Sequence, residues 1–167
     1  SLTAEQIGAL STTQFKGFDA TDVAGLTSEQ VGALTASQIK GLTTGQLQAL
    51  SLVNVAGLSD VQIDSLSAAQ LGAFTGAQVQ ALTTVQINGL STTQVKGLEA
   101  GDIAGLTAEQ AASFTAAQLG ALNRTQVAAF ATEAIAALST EQLSAFSATL
   151  IKGLTTTQIR ALSAEQV

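Results

Sequence analysis

Leu-Thr-Ala-Glu-Gln-Ile-Gly-Ala, residues 2–9, opens a series of twenty octads in unbroken register that runs to Ala161. Residues Leu162–Val167 begin a twenty-first. Self-similarity at a fixed short period dictates a linear stack in which each unit contacts its neighbours, not a globule built round one centre. Residues 1–167 therefore read as one continuous array. The unit is Leu/Phe, Thr/Ser, x, x, Gln, Ile/Val/Leu, x, Ala/Gly, with positions numbered one to eight below.

Position two is Thr, Ser, Asp or Asn in 18 of the 20 complete octads, the exceptions being Glu99 and Ala131. Position five is Gln in 15 of the 20. A hydroxyl followed three residues later by Gln is the capping box of a helix N-terminus. The Thr3 hydroxyl is expected to accept from the Gln6 N–H, and the Gln6 side chain from the Thr3 N–H. Position one is always Leu or Phe, and position six is a large apolar residue in every complete octad except at Ala111. Flanking the cap in this way, they form a hydrophobic staple, as in Leu2 with Ile7. Position eight is Ala, Gly or Ser, which suits a helix C-terminus or a close backbone approach. Each octad thus encodes a start, about one and a half helical turns, and a stop.

One continuous helix fails this pattern, because its apolar stripe would rotate by about 80° per octad. A β-solenoid remains the alternative. It is disfavoured because positions one and six fall on opposite faces of a strand and because Ala, Gln and Glu are frequent. The sequence predicts an all-α solenoid of short capped helices, one per octad.

A single octad buries too little to offset the entropy of ordering it, so neighbouring octads must share a core lined by positions one and six. The position-five amides are placed to run as a ladder from coil to coil. Phe114, Phe130 and Phe146, on every second octad, point to two octads per coil. A longer period overlies the octad. LSTTQVKG at Leu90 echoes LSTTQFKG at Leu10, and Asp102 and Asp22 both replace the usual Gln 80 residues apart. This ten-octad spacing reads either as a block duplication or as a contact made once per block.

Composition narrows the function classes. Six Lys/Arg stand against twelve Asp/Glu, and only 11% of residues are charged, which disfavours a nucleic-acid binder. Hydrophobic residues reach 46%, enough for a core, yet polar residues interrupt every octad and no run approaches a membrane span. No His or Cys is present, and nothing pairs a nucleophile with a base. No catalytic, cofactor-binding or metal-binding residues are assigned, and the chain is not expected to be an enzyme.

Two carboxylate pairs, Asp19/Asp22 and Glu99/Asp102, have a spacing a Ca²⁺ site can use. They read instead as cap residues beside positive helix N-termini. Lys16, Lys40, Lys96 and Lys152 all occupy position seven and read as a solvated face, with contact to a glycan or neighbouring filament as the lesser reading. Thr12-Thr13, Thr92-Thr93 and Thr156-Thr157 suggest a water-ordering surface, but other residues break the array.

The unit, as in LTAEQIGA at Leu2, LTASQIKG at Leu34 and LTTTQIRA at Leu154, resembles octapeptide-repeat regions of very large bacterial surface or secreted proteins. The resemblance covers the whole chain and implies a long extracellular stalk, fibre or adhesin region. The expected role is mechanical, with apolar end faces through which copies continue head to tail and with possible glycan or cell-surface contacts. Neither end carries an atypical capping unit, so a segment of a longer array is expected. A recognition scaffold for a peptide or polysaccharide is the alternative, and an ice-binding surface the third.

Overall fold

The computed structural model describes residues 2–167. Among these, twenty α-helices of four to six residues follow one another from α1 (Ala4–Ala9) to α20 (Thr156–Ala161), with no strand. The fold is an all-α solenoid, and each complete octad supplies one helix.

The start of each helix follows the predicted chemistry. The Gln6 N–H donates to the Thr3 hydroxyl at 3.2 Å, and the Thr3 N–H donates to Gln6 Oε1 at 2.8 Å. The same reciprocal pair recurs along the chain, as at Thr75/Gln78 and Ser139/Gln142. Glycine stands at several of the stops, as at the C-caps Gly25, Gly41, Gly57 and Gly105, but with right-handed backbone. No described residue has positive φ, so the left-handed closure that favours glycine is absent. Instead the position-one N–H of the next octad donates to the position-six carbonyl three residues back, as Leu10 to Ile7 at 3.2 Å. The chain then runs extended into the next cap, with ψ 136° at Leu10. This tight i→i+3 closure requires only ordinary backbone angles.

Helices pack on the third helix along, not the second. Helix α1 packs on α4 (Ser28–Gly32), α2 (Thr12–Phe15) on α5 (Ala36–Lys40), and α3 (Ala20–Ala24) on α6 (Thr44–Ala49). The rule persists to α17 (Thr132–Ala136) against α20. Three octads, 24 residues, therefore make one coil, and three columns of stacked helices run along the solenoid. This corrects the two-octad coil inferred from the phenylalanines. Phe114 and Phe130 lie in different columns and meet edge to face, with ring centroids 6.1 Å apart. Their 16-residue spacing reports a contact within the core and not the length of a turn.

Positions one and six form one continuous core from Ile7 to Leu154. The small residues of positions seven and eight let coils approach. A methyl on Gly8 (position seven) would lie 2.7 Å from the carbonyl oxygen of Ala33 (position eight), one coil on. The approach is closer at Gly72 and Gly97, where an added methyl would overlap the backbone of Gly97 and of Ala68 respectively. Gly45, by contrast, has open space around it. We expect Gly97→Ala to lower stability by about 2–3 kcal/mol through overpacking. Gly45→Ala should raise it by about 0.5–1 kcal/mol through helix propensity. Denaturant titration of both variants checks this pair.

Candidate functional site: the glutamine ladder

The position-five glutamines join the coils. A carboxamide has an acceptor and a donor on one planar group, and each half has a separate task. The oxygen accepts from the cap N–H in its own octad. The nitrogen reaches back to the preceding coil. Every position-five Gln from Gln30 to Gln166 donates to the position-one carbonyl 28 residues earlier, at 2.5–3.1 Å. Several also reach the position-six carbonyl 31 residues earlier, as Gln38 to Ile7 at 2.9 Å and Gln94 to Ile63 at 2.7 Å. The ladder expected from the sequence is present, and its acceptors are the backbone oxygens at each helix-to-helix corner.

Glu would keep the capping half and lose the donor. Asn is a methylene too short for both tasks. Asn54 reaches Leu26 at 3.2 Å, but its oxygen accepts from the Ser28 hydroxyl and no reciprocal cap closes in its octad. The requirement for Gln is thus set by geometry and donor count together.

Three rungs are vacant. Asp102, Ala134 and Leu150 carry no donor, so the Phe74, Leu106 and Leu122 carbonyls 28 residues earlier receive no side-chain amide. Ala131 also leaves its helix without a side-chain cap. Restoring the donor with Ala134→Gln is expected to stabilise by about 1 kcal/mol, readable as a higher denaturation midpoint.

The carboxylate pairs act as caps. The Asp19 N–H donates to Asp22 and the Asp22 N–H to Asp19, both at 2.9 Å. The Glu99 N–H donates to Asp102 at 2.9 Å. Among the described residues, no third His, Cys, Asp or Glu joins either pair. Asp22 is exposed whereas Asp102 is buried. Burial pushes the Asp102 carboxyl above its ordinary value of 3.8; the Glu99 backbone N–H opposes this shift, and the Glu99 charge adds to it. An acid whose folded value is raised favours its protonated form in the fold. Its contribution is therefore most favourable below 3.8 and is lost as pH rises through the folded value. Asp102→Asn should stabilise at pH 7 and not at pH 3. Denaturation midpoints of the two proteins across that range, compared as a difference, give the test.

Lys16, Lys40, Lys96 and Lys152 are exposed, as position seven predicted. Two amides at that position do more. Gln48 donates forward to the Ala73 carbonyl at 3.0 Å, and Asn88 to the Ser113 carbonyl at 2.9 Å. Their common position and amide chemistry were the available signal. The threonine pairs do not form a surface. Thr92-Thr93 lies in a different column from Thr12-Thr13 and Thr156-Thr157, which are separated along theirs by Val61, Val85 and Glu109 among others. The surface depressions are open grooves between coils, such as that lined by Gly120, Arg124 and Thr149. Among the described residues, no helix is long and apolar enough to cross a membrane.

Capped short helices, a shared core and a coil-to-coil ladder define a tandem-repeat solenoid with a structural character. The family model described as the ALTTAQ repeat matches residues 1–36, 15–52 and 135–167, a little over half of the chain. The chain belongs to the ALTTAQ repeat family. No curated protein matches it.

Proposed function

We propose that this chain is a rod segment of a bacterial extracellular or cell-surface protein, serving mechanically as part of a stalk, fibre or adhesin. The observation that carries the reading is the ladder itself. It commits a position-five amide, buried at most rungs, to joining one coil to the next, and Gln38 and Gln158 reach the corresponding pair of backbone carbonyls. Stability is then a sum of coil terms and interface terms, so length can vary without a new fold. Membership of a repeat family and the resemblance to surface-protein octapeptide regions support the same role.

Single-molecule extension tests it. A rod of this kind should yield in steps of whole coils, each releasing about 80 Å of chain at the extended reach per residue. One all-or-none release of the full chain, at a force no higher than for a loosely packed domain, would count against a mechanical role. Immunolabelling of intact producer cells tests the location separately.

A recognition scaffold is the second reading, favoured by the exposed apolar side chains Leu52, Val53, Val61 and Val85 in mid-array. Binding of a peptide or polysaccharide that is lost on Val61→Ser/Val85→Ser would favour it.

A further inference from the structure

The second column of helices carries an ordered charge pattern on its outer face. It stacks α2, α5, α8 (Asp60–Ser65), α11 (Thr84–Gly89), α14 (Ala108–Ala112) and α17, each one coil beyond the last. Positions four and seven are three residues apart, so they share one face of a short helix. Along that face Lys16 and Lys40 come first, Val61 and Val85 stand in the middle, and Glu109 and Glu133 follow. All six side chains are exposed, the two valines by 67% each. Lys16 reaches along the column toward Gly41, one coil on. The pattern is antisymmetric about the midpoint between Val61 and Val85. Each lysine lies as many coils to one side of it as a glutamate lies to the other.

We infer that two copies of this chain pair side by side and antiparallel through this face, about a two-fold axis between Val61 and Val85. The inference rests on the rod reading above and gives the rod a partner. The axis sets Lys16 against the partner's Glu133, Lys40 against the partner's Glu109, and Val61 against the partner's Val85. Asp60 and Asp64 flank Val61 and meet the α11 helix of the other copy, which holds no carboxylate. A parallel pair in register would instead set lysine on lysine and glutamate on glutamate. The antiparallel contact uses the same patch on both copies, so it closes at two. Pairing removes the exposed valines from water, and they then need no external ligand. Six coils at about 10 Å each, one helix of about 10 Å wide, give on the order of 600 Å² a side, the low end for a specific interface. The dimer is therefore weak and sensitive to salt.

Sedimentation velocity of the 167-residue protein over a wide concentration range, at low and high salt, tests the inference. The wild type should reach a dimer and no larger species, with association weakened about tenfold or more by high salt. Lys16→Glu/Lys40→Glu and Glu109→Lys/Glu133→Lys should each be monomeric alone, because like charges then face each other at both ends of the strip. Mixed together, the two should form a one-to-one dimer, since every lysine again meets a glutamate. The fourfold swap in one chain keeps the wild-type net charge and should pair with itself. Val61→Ser/Val85→Ser should weaken the dimer about tenfold or more. All these positions are exposed, so helix content should be unchanged throughout. Wild type that stays monomeric, assemblies that grow beyond two, charge variants that pair alone, or a mixture that does not pair would each overturn the dimer. A monomeric wild type that still extends in whole-coil steps would remove the pairing and leave the mechanical reading standing.

Discussion

Ile87→Asp should cost at least about 4 kcal/mol and unfold its own coil together with the coils on either side. The side chain is fully buried in the shared core, and a carboxylate placed there has neither water nor a partner. The damage should spread along the column, because the Ile87 carbonyl also accepts from Gln118 one coil on. Hydrogen exchange by mass spectrometry would read the effect as lost protection in the octads around Leu58, Leu82 and Leu106, with the distant octads near Val23 keeping theirs. Val85→Asp is the control. It lies two residues away in the same helix, but Val85 is 67% exposed, so its charge stays in water and stability should move by no more than about 0.5 kcal/mol. Unchanged protection in the Ile87 variant would refute the shared core.

Gln78→Glu separates the two tasks of the ladder residue. Gln78 is 1% exposed, and its nitrogen donates to the carbonyls of Leu47 and Leu50, both at 2.8 Å. Its oxygen accepts from the Thr75 N–H at 2.9 Å. Glu retains the cap but turns a carboxylate oxygen toward two carbonyl oxygens. Loss of the donors and burial of an unpaired charge should cost about 3–5 kcal/mol at neutral pH. Part of this should return in acid, where a protonated carboxyl again has a hydrogen to donate. Gln78→Leu should cost about 1–3 kcal/mol with no pH dependence, since it removes the hydrogen bonds without adding charge. Thermal melts of both variants at pH 4 and pH 7 decide the matter. Equal melting temperatures for the two at pH 7 would mean that the backbone carbonyls are not the acceptors that hold the coils.

Local structure was legible in the octad because it depends on residues within three or four positions of one another. Thr3 and Gln6 specify a helix start, and Leu2 with Ile7 specify which sides turn inward. The ladder was legible as well, since a buried amide must find partners in the neighbouring coil. The number of octads per coil was not. All octads carry nearly the same side chains, so nothing local distinguishes the second neighbour from the third. Closure is decided by how three short helices and their extended corners fit round a core of Leu and Ile width. The phenylalanines misled because Phe114 touches Phe130 inside the core, a contact that carries no information about where a turn ends. Position eight was expected to serve a helix end or a close backbone approach, and the structure uses it for both: Gly25 and Gly105 are C-caps, and Gly97 lies against the backbone of the neighbouring coil. The i→i+3 closure ends each helix without positive φ, so Gly72 and Gly97 serve where coils nearly touch.

Three octads to a coil also bears on the longer 80-residue spacing. A ten-octad block spans three coils and one octad more, so its copy lands one column further round. Asp22 stands in the third column and Asp102 in the first; Asn54 stands in the first and Ala134 in the second. A neighbour lying along one side would meet any given block feature only in every third copy, which argues against a lateral contact made once per block. The two periods act as a vernier. The vacant rungs are nevertheless unevenly dealt: Asp102 and Leu150 fall in the first column, Ala134 in the second and none in the third, so one side of the rod is tied by an unbroken ladder while the first column is tied most loosely.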